Sequence, residues 1–242
     1  MALKTNLVSY WNLNEQSGNR NDSHGSNHLA GLNSPTYQTD GVHGDVLQIL
    51  SASSQAVWIS DASQSGLDLT GNMTMNIWFN PITLTAPTSN NHGLMTKWNH
   101  SSQNQYQWNF ASTTSQITGG ADDACGGFTY TFVTLSLGVT VAIDTWYMVS
   151  FVRTGTTLEM FLNGVSLGTG TTQTSSDCTA DFAIGMEKGR DLYKANGRFT
   201  KAGIWSRALS SGELLELHNS GNGRTYAQLD LVTFTPRTAF VI

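Results

Sequence analysis

The sequence is poor in charge, proline, cysteine and long apolar runs. Only 12 % of its residues are charged, and it has four prolines and two cysteines. No window holds about 18 consecutive apolar residues, so no membrane insertion is expected. The formal net charge of −5 disfavours nucleic acid or an anionic membrane as partner. Glutamate is scarce as well: Glu15, Glu159, Glu187, Glu213 and Glu216 complete the set. None has an acidic neighbour two positions away. The opening MALKTNLVSYWNL lacks the apolar stretch of a secretory signal peptide. Either a signal has been removed, or the protein reaches a virion or extracellular surface without one.

In place of charge the chain carries 24 glycines and many Ser, Thr and Asn residues, with enough Trp, Tyr and Phe to build a core. This composition suits short strands joined by tight turns. The clearest stretch is Trp146 to Gly168, WYMVSFVRTGTTLEMFLNGVSLG. Asn163-Gly164 between alternating apolar residues is a strong hairpin signal, because a type I′ turn needs positive φ at both central positions. Leu158, Met160 and Leu162 should face one way, and Glu159, Phe161 and Asn163 the other. The stretch predicts three consecutive antiparallel strands in the middle of a larger sheet.

Further strands are expected at 6–13, 43–49, 55–60, 73–80, 93–99, 105–112, 128–137, 181–188 and 197–205, with a long polar loop after the first. So many short strands point to an all-β, two-sheet antiparallel sandwich or jelly roll. One short helix is expected near the C-terminus. Ser210 and Glu213 have capping-box spacing, Leu214, Leu215 and Leu217 form its apolar side, and Asn219 to Gly221 stop it. It should seal an end of the sandwich. Residues 1–226 would form the domain. The apolar tail 227–242 would be a last edge strand, or an anchor docking into other virion subunits or a homo-oligomer. Cys125 and Cys178 are either two free thiols or a disulfide joining two loops.

Four blocks carry a family resemblance. NLVSYWNLNEQSGNRNDSHGSNHLAG, MTMNIWFNP, WYMVSFVRTGTTLEMFLNGV and AGIWSRALSSGELLELHNSG follow in order from residue 6 to about 221. Together they resemble the laminin-G-like, concanavalin A-like jelly-roll modules. The resemblance implies two curved antiparallel sheets, one of which offers a concave sugar-binding face. It also implies a structural calcium near the first long loop, for which Asp22 is the matching carboxylate and Asn27 a helper. The acidic pair expected before Arg-Ala-Leu-Ser is replaced by Thr200 and Lys201. Asp22 is then either a calcium ligand or a turn cap.

Glucanases on this fold use alternate-position carboxylates on one strand, which must sit about 5 Å apart across the glycosidic bond. The isolated glutamates argue strongly against that mechanism here. Gly164-Val165-Ser166-Leu167-Gly168 has the hydrolase G-x-S-x-G spacing but follows a hairpin turn instead of opening a helix. Recognition without catalysis is therefore expected, with cell-surface or extracellular glycans as partners of a capsid decoration, head fibre or tail protein. The alternatives are a purely structural virion subunit that binds no sugar and, third, a polysaccharide lyase or hydrolase. The first candidates are Trp98, Asn99, His100, Tyr106, Trp108 and Asn109 around one hairpin. Arg190, Asp191 and Tyr193 in GRDLYKANGR would extend the rim. The alternative is that the aromatic row of residues 106–110 is core and the polar row merely solvated.

Overall fold

The computed structural model describes residues 2–85, 91–99, 104–122, 125, 130–188 and 191–230, with backbone alone at 104 and 130. In chain order the strands are β1 (Leu7–Trp11), β2 (Ala30–Leu32), β3 (Thr36–Asp40), β4 (Gly44–Ile49), β5 (Ala56–Ile59), β6 (Met73–Pro81), β7 (His92–Trp98) and β8 (Asn104–Ala111). There follow β9 (Gln116–Asp122), β10 (Tyr130–Ser136), β11 (Tyr147–Thr154), β12 (Thr157–Leu162), β13 (Val165–Thr171), β14 (Phe182–Ile184), β15 (Gly197–Trp205) and helix α1 (Ser211–His218). One sheet runs β13-β12-β11-β6-β15-β4-β3, with β1 also paired to β15, and the other runs β10-β9-β8-β7-β14-β5-β2. Every strand pairing is antiparallel. This is the expected two-sheet jelly-roll sandwich with one short C-terminal helix.

The hairpins form as their turn residues require. Asn163 and Gly164 have φ of 52° and 80°, and the Asn163 Oδ1 accepts the Met148 amide at 2.9 Å. Leu158, Met160 and Leu162 enter the core between the sheets, while Phe161 faces the other way. The three strands form a flank, not the centre: β13 is the edge, and β6 is the strand buried at all nine positions. Met73, Met75, Ile77 and Phe79 of β6 point between the sheets, and Trp78 points into a second apolar cluster outside.

That second cluster corrects the expected place of α1. Leu214 and Leu217 pack with Tyr10, Trp78, Met148, Phe161 and Trp205 on the outer face of the eight-stranded sheet. The helix therefore covers a sheet face and does not plug an end. Its capping box is formed, with Ser210 Oγ accepting the Glu213 amide at 3.3 Å and Glu213 Oε2 accepting the Ser210 amide at 2.9 Å. Leu229 is buried in the same cluster, so the chain stays packed past the expected boundary at 226. Residues 231–242, which hold most of the tail, lie outside the described residues.

Strands β2, β3 and β9 were not legible in the sequence. In β9, QITGGAD, two glycines hide the pattern. Both are demanded by close packing: a Cβ on Gly119 would lie 2.0 Å from the Trp108 ring, and one on Gly120 would lie 2.5 Å from the Thr131 carbonyl oxygen.

Candidate functional site

The sandwich is shut along one side and open along the other. On the shut side β13 meets β10, where a Cβ on Gly170 would lie 2.4 Å from Val133 Cγ1. On the open side the sheets end in β2 and β3, joined by a corner in which Asn33 and Ser34 are both left-handed, at φ 53° and 54°. Gln55 holds this corner. Its Nε2 donates to the carbonyls of Asn33 (3.2 Å) and Ser34 (3.0 Å), and its Oε1 accepts the Leu50 amide (2.8 Å).

Here a groove of about 910 Å³ runs between the first long loop and β3, bordered by Gln16, Asn19, Arg20, Tyr37, Gln38 and Thr39. Tyr37 pairs with Leu47 and so shares its face. Leu47 is core, but Tyr37 is 41 % exposed and presents an aromatic surface to solvent. Asp45 ties the two walls together: it accepts Gln16 Nε2 and Thr39 Oγ1, each at 2.8 Å, and these bonds hold its carboxyl below the usual range.

Arg20 forms the floor. Its backbone bridges Leu29 in both directions, at 2.8 and 2.9 Å, which anchors it to the core. The side chain is 2 % exposed. Nη1 donates to the Gly18 carbonyl at 2.8 Å and Nη2 more weakly to Pro35 at 3.4 Å, while buried Nε has no partner. Burial pushes its pKa down, opposed by nearby Glu15. The groove thus combines a flat ring, the Gln16 and Asn19 side-chain amides, hydroxyls and a guanidinium. Among the described residues no carboxylate or imidazole belongs to its lining, and Asp45 sits at its edge, bonded to Gln16 and Thr39. It is equipped to stack on and hydrogen-bond a polyhydroxylated ligand, not to exchange protons with one.

The candidates read from the sequence lie elsewhere. Tyr106 and Trp108 are core residues: Tyr106 donates its hydroxyl to the Leu67 carbonyl at 3.0 Å, and Trp108 packs on Phe151 with ring centroids 4.3 Å apart. Trp98, 1 % exposed, contacts Phe132 at 5.5 Å. None of the three offers a ring face to a ligand from solvent. Asn109 belongs to the polar row on the other face of β8, but that row is buried, not solvated. Asn109 Oδ1 and both amide atoms of Gln105 lack partners there, and Gln107 Nε2 reaches Glu187 Oε2 at 3.5 Å. Asn99 is half-buried, and His100 and Arg190 lie outside the described residues. Asp191 is exposed and paired with Lys194 at 2.5 Å; the Tyr193 carbonyl accepts the Gly93 amide at 2.7 Å. Those among the described residues do not converge on one site.

Asp22 and Asn27 do meet, with Asp22 Oδ2 accepting the Asn27 amide at 3.1 Å. Oδ1 of Asp22 accepts three more amides, from Tyr10, His24 and Gly25, each at 3.0 Å. Four amides occupy the oxygens that a cation would need, and the Asn27 side-chain oxygen accepts Ser65 N at 2.7 Å. Lys201, at the place of an expected carboxylate, sits in a bulge at φ 49° and donates to the Asn222 carbonyl at 2.9 Å. Among the described residues no cluster of three or more His, Cys, Asp or Glu is arranged around a metal position. This donor set fits a turn cap better than a calcium cage. Cys125 and Cys178 form a disulfide, with Cα atoms 5.4 Å apart.

Arg20, Tyr37 and Gln38 escaped the sequence reading. The only hint is YQT between Pro35 and the Asp40-Gly41 turn, a polar strand without apolar alternation.

Solved structures share this fold at low identity. Domain 4 of an extracellular arabinanase from Geobacillus stearothermophilus, solved with arabinotriose, matches with TM-score 0.61 and 14 % identity over 87 % of this chain and 97 % of that one. The binding domain of Paraclostridial Mosquitocidal Protein 1 matches with TM-score 0.67 and 16 % identity over 90 % of this chain and 53 % of its own. A Trypanosoma rangeli sialidase matches with TM-score 0.63 and 12 % identity over 90 % of this chain and 33 % of its own. The chain thus spans about half the length of the toxin binding domain and a third of the sialidase. No curated protein matches it in sequence. The family model Laminin_G_3, described as the concanavalin A-like lectin/glucanases superfamily, matches residues 51–215. Because that match takes in more than half of the chain, strands β5 to β15 among it, the protein belongs to this superfamily.

Proposed function

We propose that the domain is a non-catalytic glycan-recognition module that binds through the groove between the first long loop and β3. The observation that carries this reading is the exposed Tyr37 ring, which borders the groove together with Gln16, Asn19 and Arg20. Sugars present apolar C–H faces and rows of hydroxyls, and this wall complements both. Fold neighbours that include an arabinotriose-bound domain and a toxin binding domain support it.

The absence of acids from the groove lining favours binding over hydrolysis. Asp68 and Asp177 do lie near one another, and Asp68 raises the Asp177 carboxyl above its usual range. Asp68 is also committed to the buried Lys97 ammonium at 2.7 Å, and neither acid lines the groove.

Display on a virion surface or outside a cell is part of the same proposal. The Cys125–Cys178 bridge supports it, since disulfides persist in oxidising surroundings. The test is a glycan array with the protein and its Tyr37→Ala variant. Binding to a defined glycan class, lost in the variant, is the expected result. No binding by either would overturn the proposal. Release of reducing ends from a bound polysaccharide would overturn its non-catalytic part.

A further inference from the structure

Among the described residues, every lysine and arginine except Arg20, Arg153 and Lys201 has a carboxylate within salt-bridge distance. Arg153 directs its guanidinium to the carbonyls of Leu69 and Gly71. Lys201 donates to the Asn222 carbonyl and to His43 Nδ1, the latter at 2.6 Å. Of the three, only Arg20 borders the open groove. One of its hydrogen bonds is short, one is long, and Nε makes none. A buried guanidinium whose Nε is unpaired, and which has Glu15 nearby but no carboxylate within salt-bridge distance, is costly in the free protein. An anion arriving through the groove would remove that cost.

The geometry points to a carboxylate-bearing sugar, a uronic or nonulosonic acid residue, as the ligand, with its carboxylate on Arg20 and its ring against Tyr37. The inference rests on the glycan-binding reading of the groove and adds the charge of the sugar. Two acids lie close enough to oppose it. Glu15 accepts the Asn21 amide through Oε1 at 2.7 Å and does not line the groove. Asp45 is half-buried at the groove edge and spends both oxygens on the lining residues Gln16 and Thr39. Repulsion from these partly exposed carboxylates is damped by solvent and salt more than attraction to the buried guanidinium is.

The experiment is calorimetric titration with an oligogalacturonide, a sialylated oligosaccharide and the neutral counterpart of each, at low and high salt. One acidic ligand should bind about tenfold or more tightly than its neutral counterpart, as expected for a hydrogen-bonded ion pair. The two acidic arms distinguish uronic from nonulosonic acid. Arg20→Gln should abolish the preference, and Arg20→Lys, which keeps the charge but loses the fork, should retain part of it. The acidic ligand should raise the melting temperature of the unsubstituted protein but not of Arg20→Gln. Where Arg20→Gln does not fold, the Arg20→Lys comparison and the salt dependence of the unsubstituted protein carry the test. Equal affinity for acidic and neutral ligands would overturn the acidic preference and leave glycan recognition standing. Binding of none of the four, with a blank glycan array, would overturn both.

Discussion

Tyr37 and Leu47 are cross-strand partners on one face of the β3–β4 ladder, yet Leu47 is fully buried and Tyr37 is 41 % exposed. The same sheet face is core at one strand and groove wall at the next, because the sandwich stays open beyond β4. Tyr37→Ala should therefore abolish glycan binding while shifting the melting temperature little, since truncating an exposed side chain opens no cavity. Binding titrations and thermal melts of the same preparations check both parts. A large loss of stability would place Tyr37 in the core instead.

Trp108 and Gly119 should behave in the opposite way. Trp108→Ala removes a core ring packed on Phe151 and should cost about 3–5 kcal/mol of stability. Gly119→Ala drives a methyl into that ring and should cost about 1–3 kcal/mol. Urea denaturation measures both. Binding lost in Trp108→Ala would reflect unfolding, not a missing ligand contact.

His92 gives the fold a pH dependence. Its ring lies against Phe79 with centroids 5.2 Å apart, accepts the Asn196 amide at Nδ1 (3.2 Å) and faces Ser112 Oγ from Nε2 (2.9 Å). None of these neighbours titrates. The amide at Nδ1 requires a neutral ring with its proton on Nε2. Burial pushes the pKa from 6.5 down to about 4. Between those values the unfolded state holds more protons than the folded one. The stabilisation is therefore complete above pH 6.5 and is lost as pH falls toward 4, by on the order of 2–3 kcal/mol. His43, also held near 4 by burial and by Lys201, adds to the same window. Urea melts at pH 7 and pH 5 should show the drop, and His92→Gln should flatten part of it.

Reduction of Cys125–Cys178 should destabilise the protein. The bridge closes a loop with a sequence separation of 53 residues. Chain-entropy reasoning gives about 4 kcal/mol for a loop of that size. Melts with and without reductant, alongside the double Cys→Ser variant, measure it. An unchanged midpoint would mean that the unfolded chain gains little freedom when the bridge opens.

Calcium and chelator should leave the melting temperature unchanged, because Asp22 already accepts four amides. A ligand that binds only the folded form must raise the midpoint, so a rise with calcium would assign Asp22 a metal role. Asp22→Ala should destabilise in either case, since it strands those amides.

The sequence alone determined the architecture wherever one residue's chemistry settles its own geometry. Asn163-Gly164 specified a turn because positive φ at both positions suits few other pairs. Ser210 and Glu213 specified the start of α1 because each caps the other's backbone. Alternation in β12 assigned its inner and outer faces. Exposure was beyond its reach. Alternation distinguishes two faces of a strand but does not say what covers the second, so the row beside Trp108 read as solvated when it is buried. Glycines demanded by Trp108 and Phe132 erased the signature of β9. Only the closing of β13 on β10, and the gap left between β2 and β3, decided which aromatic ring meets solvent. Those are contacts between residues far apart in the chain, and no local pattern of side chains encodes them.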